Sequence, residues 1–143
     1  TGFQADHFRA MGRFDDAVAA LRRAVQLDPD LAGAQYNLGT LLGFRGRFDE
    51  AIPCYLRALE TTPNDAELHN NLGFAMLRTG QNGRAGDHFR RAIRIDPTNA
   101  DAHFNLARLL ESQQAMRSAQ EHYRTAARLD QRYAHLLAPG PPK

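Results

Sequence analysis

The chain has 143 residues, 43% of them hydrophobic and 24% charged, and a formal net charge of +2. That apolar share suits an ordered fold, but no run of about 18 apolar residues exists to cross a membrane as a helix. A single cysteine, Cys54, excludes an internal disulfide framework.

Residues 1–30 open inside a helix: Ala5, Phe8 and Gly12 follow a first helix already under way at Thr1, with Gln4 at a core position. Ala17, Leu21 and Ala24 then line a second helix. In residues 31–64, Ala34, Leu38, Leu41 and Leu42 predict a helix over about residues 32–45. Gly46 breaks it, and Ala51, Ile52, Tyr55, Ala58 and Leu59 share one face of another helix over about residues 48–61. Pro53 falls early in that second helix and predicts a local kink. Pro63-Asn64-Asp65 stops the helix and offers side-chain oxygens to cap the next. Residues 65–98 and 99–132 repeat the scheme. Gly83 and Gly86 weaken the second helix of the third copy by about 1 kcal/mol each relative to Ala. Ala134, His135, Leu136 and Leu137 begin another short helix in residues 133–143, and Ala138-Pro139-Gly140-Pro141-Pro142 ends it in an extended tail.

The copies are related by a fixed step of 34 residues: Asn37-Leu38-Gly39, Asn71-Leu72-Gly73, then Asn105-Leu106-Ala107. Ala17, Ala51, Ala85 and Ala119 keep the same step, as do Pro29, Pro63 and Pro97. A repeat of this length means a solenoid, in which each unit contacts only its neighbours. Small residues at Gly39, Gly73, Ala51 and Ala85 let paired helices approach, and Tyr55, Phe89 and Tyr123 fill the space left beside them.

This pattern resembles the tetratricopeptide repeat. Its W-x2-L-G-x2-Y segment corresponds to Gln35, Leu38, Gly39 and Leu42, to His69, Leu72, Gly73 and Met76, and to His103, Leu106, Ala107 and Leu110. Its A-x3-F segment corresponds to Ala17 and Leu21, Ala51 and Tyr55, Ala85 and Phe89, and Ala119 and Tyr123. The resemblance implies an all-α, right-handed α-solenoid of about four helix-turn-helix repeats. The sequence departs from the pattern in lacking Trp and in placing Gln114 and Gln131 where an interhelix Gly and a terminal Pro belong. These departures bear on local turns, not on the fold.

In such proteins the first helices line a concave groove that takes extended peptides. The matching positions are Asn37, Asn71 and Asn105, with Tyr36, Asn70 and Phe104 one residue earlier. Thr40, Phe74 and Arg108 follow on the same face, and Arg78 lies beyond. The three asparagines resemble the ladder of the O-linked N-acetylglucosamine transferase superhelix. An amide both donates and accepts, so a ladder can bind a partner's main chain without reading its sequence, or can link adjacent helices. Tyr36 and Thr40 stand where a carboxylate clamp needs other residues, which argues against gripping the terminal carboxylate of a partner.

The predicted function is therefore a non-catalytic scaffold for a protein or peptide partner. One alternative is a subunit that stacks head to tail through its solenoid ends, using Phe3, Phe8, Leu136 and Leu137, since no complete capping helix is legible at either end. A second alternative is the recognition arm of a larger enzyme. No phosphate loop, nucleophile motif or enclosed carboxylate pair is present, so no catalytic residue and no cofactor are expected. His69 and His103 share one repeat position, and His88 and His122 share another. Without cysteine or carboxylate companions at ligand spacing they predict no metal site, and a histidine at the Trp position is expected to pack in the helix seam. Of 18 basic residues, 17 are Arg, with Lys143 the exception, a bias that points to a GC-rich bacterial coding sequence. Arg22, Arg57, Arg90, Arg91 and Arg124 recur on second helices, where Asp87 and Glu121 predict a salt-bridged solvated face. Nucleic acid is not an expected partner, because binding it calls for a larger basic excess or stacked aromatics.

Overall fold

The computed structural model describes the backbone of residues 2–137 and the side chains of residues 10–137. Among the described residues there is no strand. The elements are α1 (Gly2–Leu27), α2 (Ala32–Phe44), α3 (Phe48–Thr61), α4 (Ala66–Arg78), α5 (Asn82–Ile95), α6 (Ala100–Ser112), α7 (Met116–Leu129) and a 3-10 helix, Gln131–Leu136. Two compact units meet between Pro63 and Asn64, beside the expected boundary between the second and third copies.

The first unit holds α1, α2 and α3, with Val18, Leu38, Leu42, Tyr55 and Ala58 buried at their contacts. Here the sequence expectation needs one correction. The sequence places two helices in residues 1–30, with Gly12 in register with Gly46, but α1 runs through it as a single helix of 26 residues. The segment before Gly12 has Gln4 where Leu38 and Leu72 anchor the later copies. A turn there would give up i→i−4 bonds, whereas glycine inside a helix costs only about 1 kcal/mol. Pro53 is exposed on α3, which stays one helix across it.

The second unit holds the hairpins α4–α5 and α6–α7 and the terminal 3-10 helix. Leu68, Leu72, Phe89, Ala92 and Leu109 are among its most buried side chains. Asp65 caps α4 by accepting from the Leu68 amide at 3.2 Å, and Asn99 caps α6 from the Ala102 amide at 3.0 Å.

Each hairpin turns in the same way. Gly46, Gly80 and Gln114 take φ of 73°, 84° and 63°. The following amides of Arg47, Gln81 and Ala115 reach back to the carbonyls of Leu42, Met76 and Leu110 at 2.9, 2.8 and 2.9 Å. This is the Schellman closure, which needs a left-handed residue at its pivot. Gln114 therefore keeps the turn geometry despite lacking glycine's freedom.

Close approach explains the glycines of the first helices. A Cβ on Gly39 would lie 2.8 Å from the Tyr55 ring, and one on Gly73 2.8 Å from the Phe89 ring. The fourth copy carries Ala107 at that position, and its ring, Tyr123, is only half-buried where Phe89 is fully buried.

Candidate functional site

The predicted groove residues of the second unit lie on α4 and α6, which pack side by side. Two of the amides hold each other: Asn105 Nδ2 donates to Asn70 Oδ1 at 2.9 Å, and both residues are buried, at 9% and 4% exposure. Burying an amide without a partner is costly, so this pair ties α6 to α4. Asn71 is half-buried on α4. In the first unit, Asn37 is exposed on α2. Beside it Tyr36 tilts against Tyr55, with ring centroids 6.0 Å apart, and Tyr55 Oη donates to Thr40 Oγ1 at 3.2 Å.

Phe104 is covered from the carboxyl side. The Tyr133 ring of the 3-10 helix stacks on it at 4.7 Å and 18°, and Tyr123 tilts against it at 5.9 Å. Tyr133 Oη donates to Asp101 Oδ1 in the first turn of α6. Arg132 reaches the same carboxylate at 3.3 Å and Asp130 at 2.6 Å. Burial and the Asp101 bond both raise the Tyr133 phenol above its ordinary pKa. In place of the fifth first helix expected from Ala134 onward, residues 131–136 form a 3-10 turn that lids the last repeat. Asp130 caps the Arg132 amide at 2.9 Å, as Asp28 and Asp96 cap the amides of Asp30 and Thr98 in earlier copies, and Gln131 stands where those copies carry Pro.

Three predicted residues do meet in open space. Phe74 and Arg78 of α4 and Arg108 of α6 line a cleft of about 340 Å³ together with Leu77, Leu109 and Ser112. The Arg108 guanidinium also lies 5.7 Å from the centre of the Phe104 ring. The cleft has an apolar floor and two cationic rims.

Comparison with known proteins bears on this arrangement. Models described as tetratricopeptide repeat match residues 36–100 and 76–138, and one described as TPR repeat matches residues 5–43. The chain belongs to the tetratricopeptide repeat family. No curated protein sequence matches it. Among solved structures, a crystal structure of MamA superposes with a TM-score of 0.82 at 24% identity, over 92% of this chain and 77% of that one. A MamA fragment, 41-end, from Desulfovibrio magneticus RS-1 gives 0.77 at 22% identity, over 87% and 70%. These likenesses show the fold.

At the Trp position of this tetratricopeptide array stand Gln35, His69 and His103, all buried. Gln35 Nε2 donates to the Pro29 carbonyl at 3.1 Å, and His103 Nε2 lies 2.9 Å from the Pro97 carbonyl, the equivalent atom two repeats on. In both repeats this residue ties the first helix to the loop before it. His69 and His88 approach through Nδ1 at 3.0 Å, and His103 and His122 at 2.9 Å. Sequence reasoning saw the shared repeat positions but not that each pair meets across one hairpin. Among the described residues no three potential ligands gather as a metal site, and no helix is long and apolar enough to cross a membrane.

On the outer face, Asp87 lies 3.9 Å from Arg90, three residues along α5. Arg57 pairs with Asp30 of the α1–α2 loop at 2.9 Å and with Glu60 of its own helix at 3.3 Å, so this surface is salt-bridged by both local and helix-to-loop contacts. Of the predicted end residues, Leu136 is half-buried and Leu137 is 44% exposed. The side chains of Phe3 and Phe8, and the tail from Ala138, lie outside the described residues.

Proposed function

We propose that this protein is a non-catalytic interaction scaffold whose α4–α6 cleft receives an extended peptide bearing an apolar side chain beside a carboxylate. One observation supports the reading above others: Phe74, Leu77 and Leu109 offer an apolar floor flanked by Arg78 and Arg108. Guanidinium forks suit carboxylates, which they engage with two parallel hydrogen bonds. An apolar anchor seated between such groups is the usual core of a peptide site. Asn70 and Asn105, joined by one hydrogen bond, act here as the wall that sets the spacing of α4 and α6. The exposed Asn37 and half-buried Asn71 keep the predicted role of contacting a partner's main chain.

The test is a peptide-display selection against the whole protein, followed by calorimetric titration of the selected peptides. Peptides pairing an acidic with an apolar residue are expected, and Arg78→Ala with Arg108→Ala should lower affinity at least about tenfold. Because both arginines line an open cleft, Tm should move by no more than about 2 °C. Selected peptides that bind the double variant as well as the parent would overturn the reading.

Self-association through the ends is the second reading, favoured by the exposed Leu137. The Tyr133 lid argues the other way, since it already covers Phe104. Light scattering over a wide concentration range separates the two: growth in mass that Leu137→Asp abolishes supports assembly, and a constant monomer mass rejects it.

A further inference from the structure

The two histidine pairs are alike in place and geometry. His69 on α4 faces His88 on α5, and His103 on α6 faces His122 on α7, with Nδ1 atoms 3.0 and 2.9 Å apart. Ring centroids are 5.3 and 5.1 Å apart. The first ring of each pair is buried, at 6% and 7% exposure, and the second is half-buried. Two Nδ1 atoms at this distance require one proton between them: two lone pairs repel, and two N–H groups collide.

The fourth repeat settles its own tautomers. The Pro97 carbonyl can only accept, so His103 Nε2, 2.9 Å away, carries the hydrogen. Neutral His103 then presents a lone pair at Nδ1, and His122 must donate from its Nδ1. The open nitrogen of the pair is His122 Nε2.

We propose that each histidine pair is an acid-sensitive latch, joining the first helix of its repeat to the second while at least one of its rings is neutral. In the fourth repeat the first added proton goes to His122 Nε2 and leaves the Nδ1–Nδ1 bond in place, but it sets a charge in a half-buried seam. A second proton must occupy His103 Nδ1, which removes the acceptor and sets two imidazoliums face to face. The surroundings of His122 are His103 on α6, Glu121 on its own α7 and Arg90 on α5; those of His88 are His69 on α4 and Asp87 on its own α5. Burial, then the partner ring, hold both His88 and His122 below the ordinary histidine value of 6.5, with Asp87 and Glu121 pulling weakly the other way.

The sign follows from proton counting. Below pH 6.5 the unfolded protein takes up protons on these histidines that the folded hairpins resist. Stability contributed by the latch is therefore complete above that pH and is lost as pH falls toward the folded values. The second repeat supplies an internal control. Gln35 and Cys54 occupy the same two positions, Gln35 donating to the Pro29 carbonyl and the Cys54 thiol, kept neutral by burial, facing the Glu50 carbonyl at 3.6 Å. Acid should thus loosen α4–α5 and α6–α7 and spare α2–α3. The latch does not depend on the peptide reading, although a partner held on α4 and α6 would be released by it.

Long-range proton–nitrogen NMR of the histidine rings at pH 8 tests the geometry. His103 is expected as the Nε2–H tautomer and His122 as the Nδ1–H tautomer; finding both rings of the pair in one tautomer overturns the proposal. Hydrogen exchange at pH 7.5 and 5, corrected for intrinsic rates, tests the consequence. Protection in α4–α7 should fall at least about tenfold more than in α2–α3, and a uniform fall overturns it. The variant His69→Gln, His88→Cys, His103→Gln, His122→Cys, kept reduced, installs the second repeat's neutral pair twice. It should lose most of the acid shift in Tm, and retention of the parental shift would overturn the latch. If that variant does not fold, the two wild-type measurements decide alone.

Discussion

An asparagine that recurs every 34 residues invites a ligand role, yet Asn105 spends its amide on Asn70 inside the α4–α6 seam. Asn105→Ala should therefore cost about 1–3 kcal/mol of stability, because it strands the Asn70 carbonyl away from water. Urea denaturation checks this, and an unchanged midpoint would return Asn105 to the ligand-contact role. Gln114 makes the opposite case. It holds a left-handed φ of 63° that costs any residue bearing a Cβ about 1–2 kcal/mol. Part of that is recovered in the unfolded state, where glycine is the freer residue. Gln114→Gly should raise stability by about 0.5–1 kcal/mol. A loss instead would mean that interactions of the Gln114 amide outweigh its backbone strain.

At the scale of elements, the 3-10 helix is where the structure departs most from the repeat pattern. The sequence shows a fifth first helix beginning and then prolines, and predicts an open hydrophobic end. The structure instead folds Tyr133 back onto Phe104 and clamps it through Asp101 and Arg132. Stacking of this kind contributes about 0.5–1.5 kcal/mol beyond the area it buries. Tyr133→Ala should lower stability by about 1–2 kcal/mol and abolish amide protection in residues 131–136. Protection that survives the substitution would mean the turn is held by Asp130 capping alone. α1 likewise departs from the repeat pattern by continuing through Gly12 as one helix.

For the whole molecule, pH bounds the stable range on both sides. On the acid side, His88 and His122 resist protonation in the folded state, so stability falls below pH 6.5. On the alkaline side, burial and the Glu111 bond push the Tyr123 phenol up to about 12, and Tyr133 is raised by burial and Asp101. Unfolded tyrosines ionise near 10, so the stability these phenols supply is full below that pH and is lost as pH rises through the folded values. Urea midpoints should form a plateau between about pH 7 and 10 with a shoulder falling away on each side. A midpoint that stays flat from pH 10 to 12 would remove the tyrosine contribution.

The repeat length, the helix pairs, the glycine pivots and the small-residue seams follow from sequence alone, because each is a local or fixed-period requirement. Gly46 and Gly80 need left-handed backbone, and Gly39 and Gly73 need room for a ring, wherever the repeat is placed. The face carrying Phe74, Arg78 and Arg108 was singled out by the resemblance to the tetratricopeptide repeat, whose first helices line a groove. Only the tertiary structure decided how the residues on that face are used. Asn105 closes on Asn70, Tyr133 covers Phe104, and His69 and His103 each meet a histidine 19 residues further along. Those outcomes depend on distances of a few ångströms between separate helices, and periodicity sets which face a residue shares but not which neighbour it reaches.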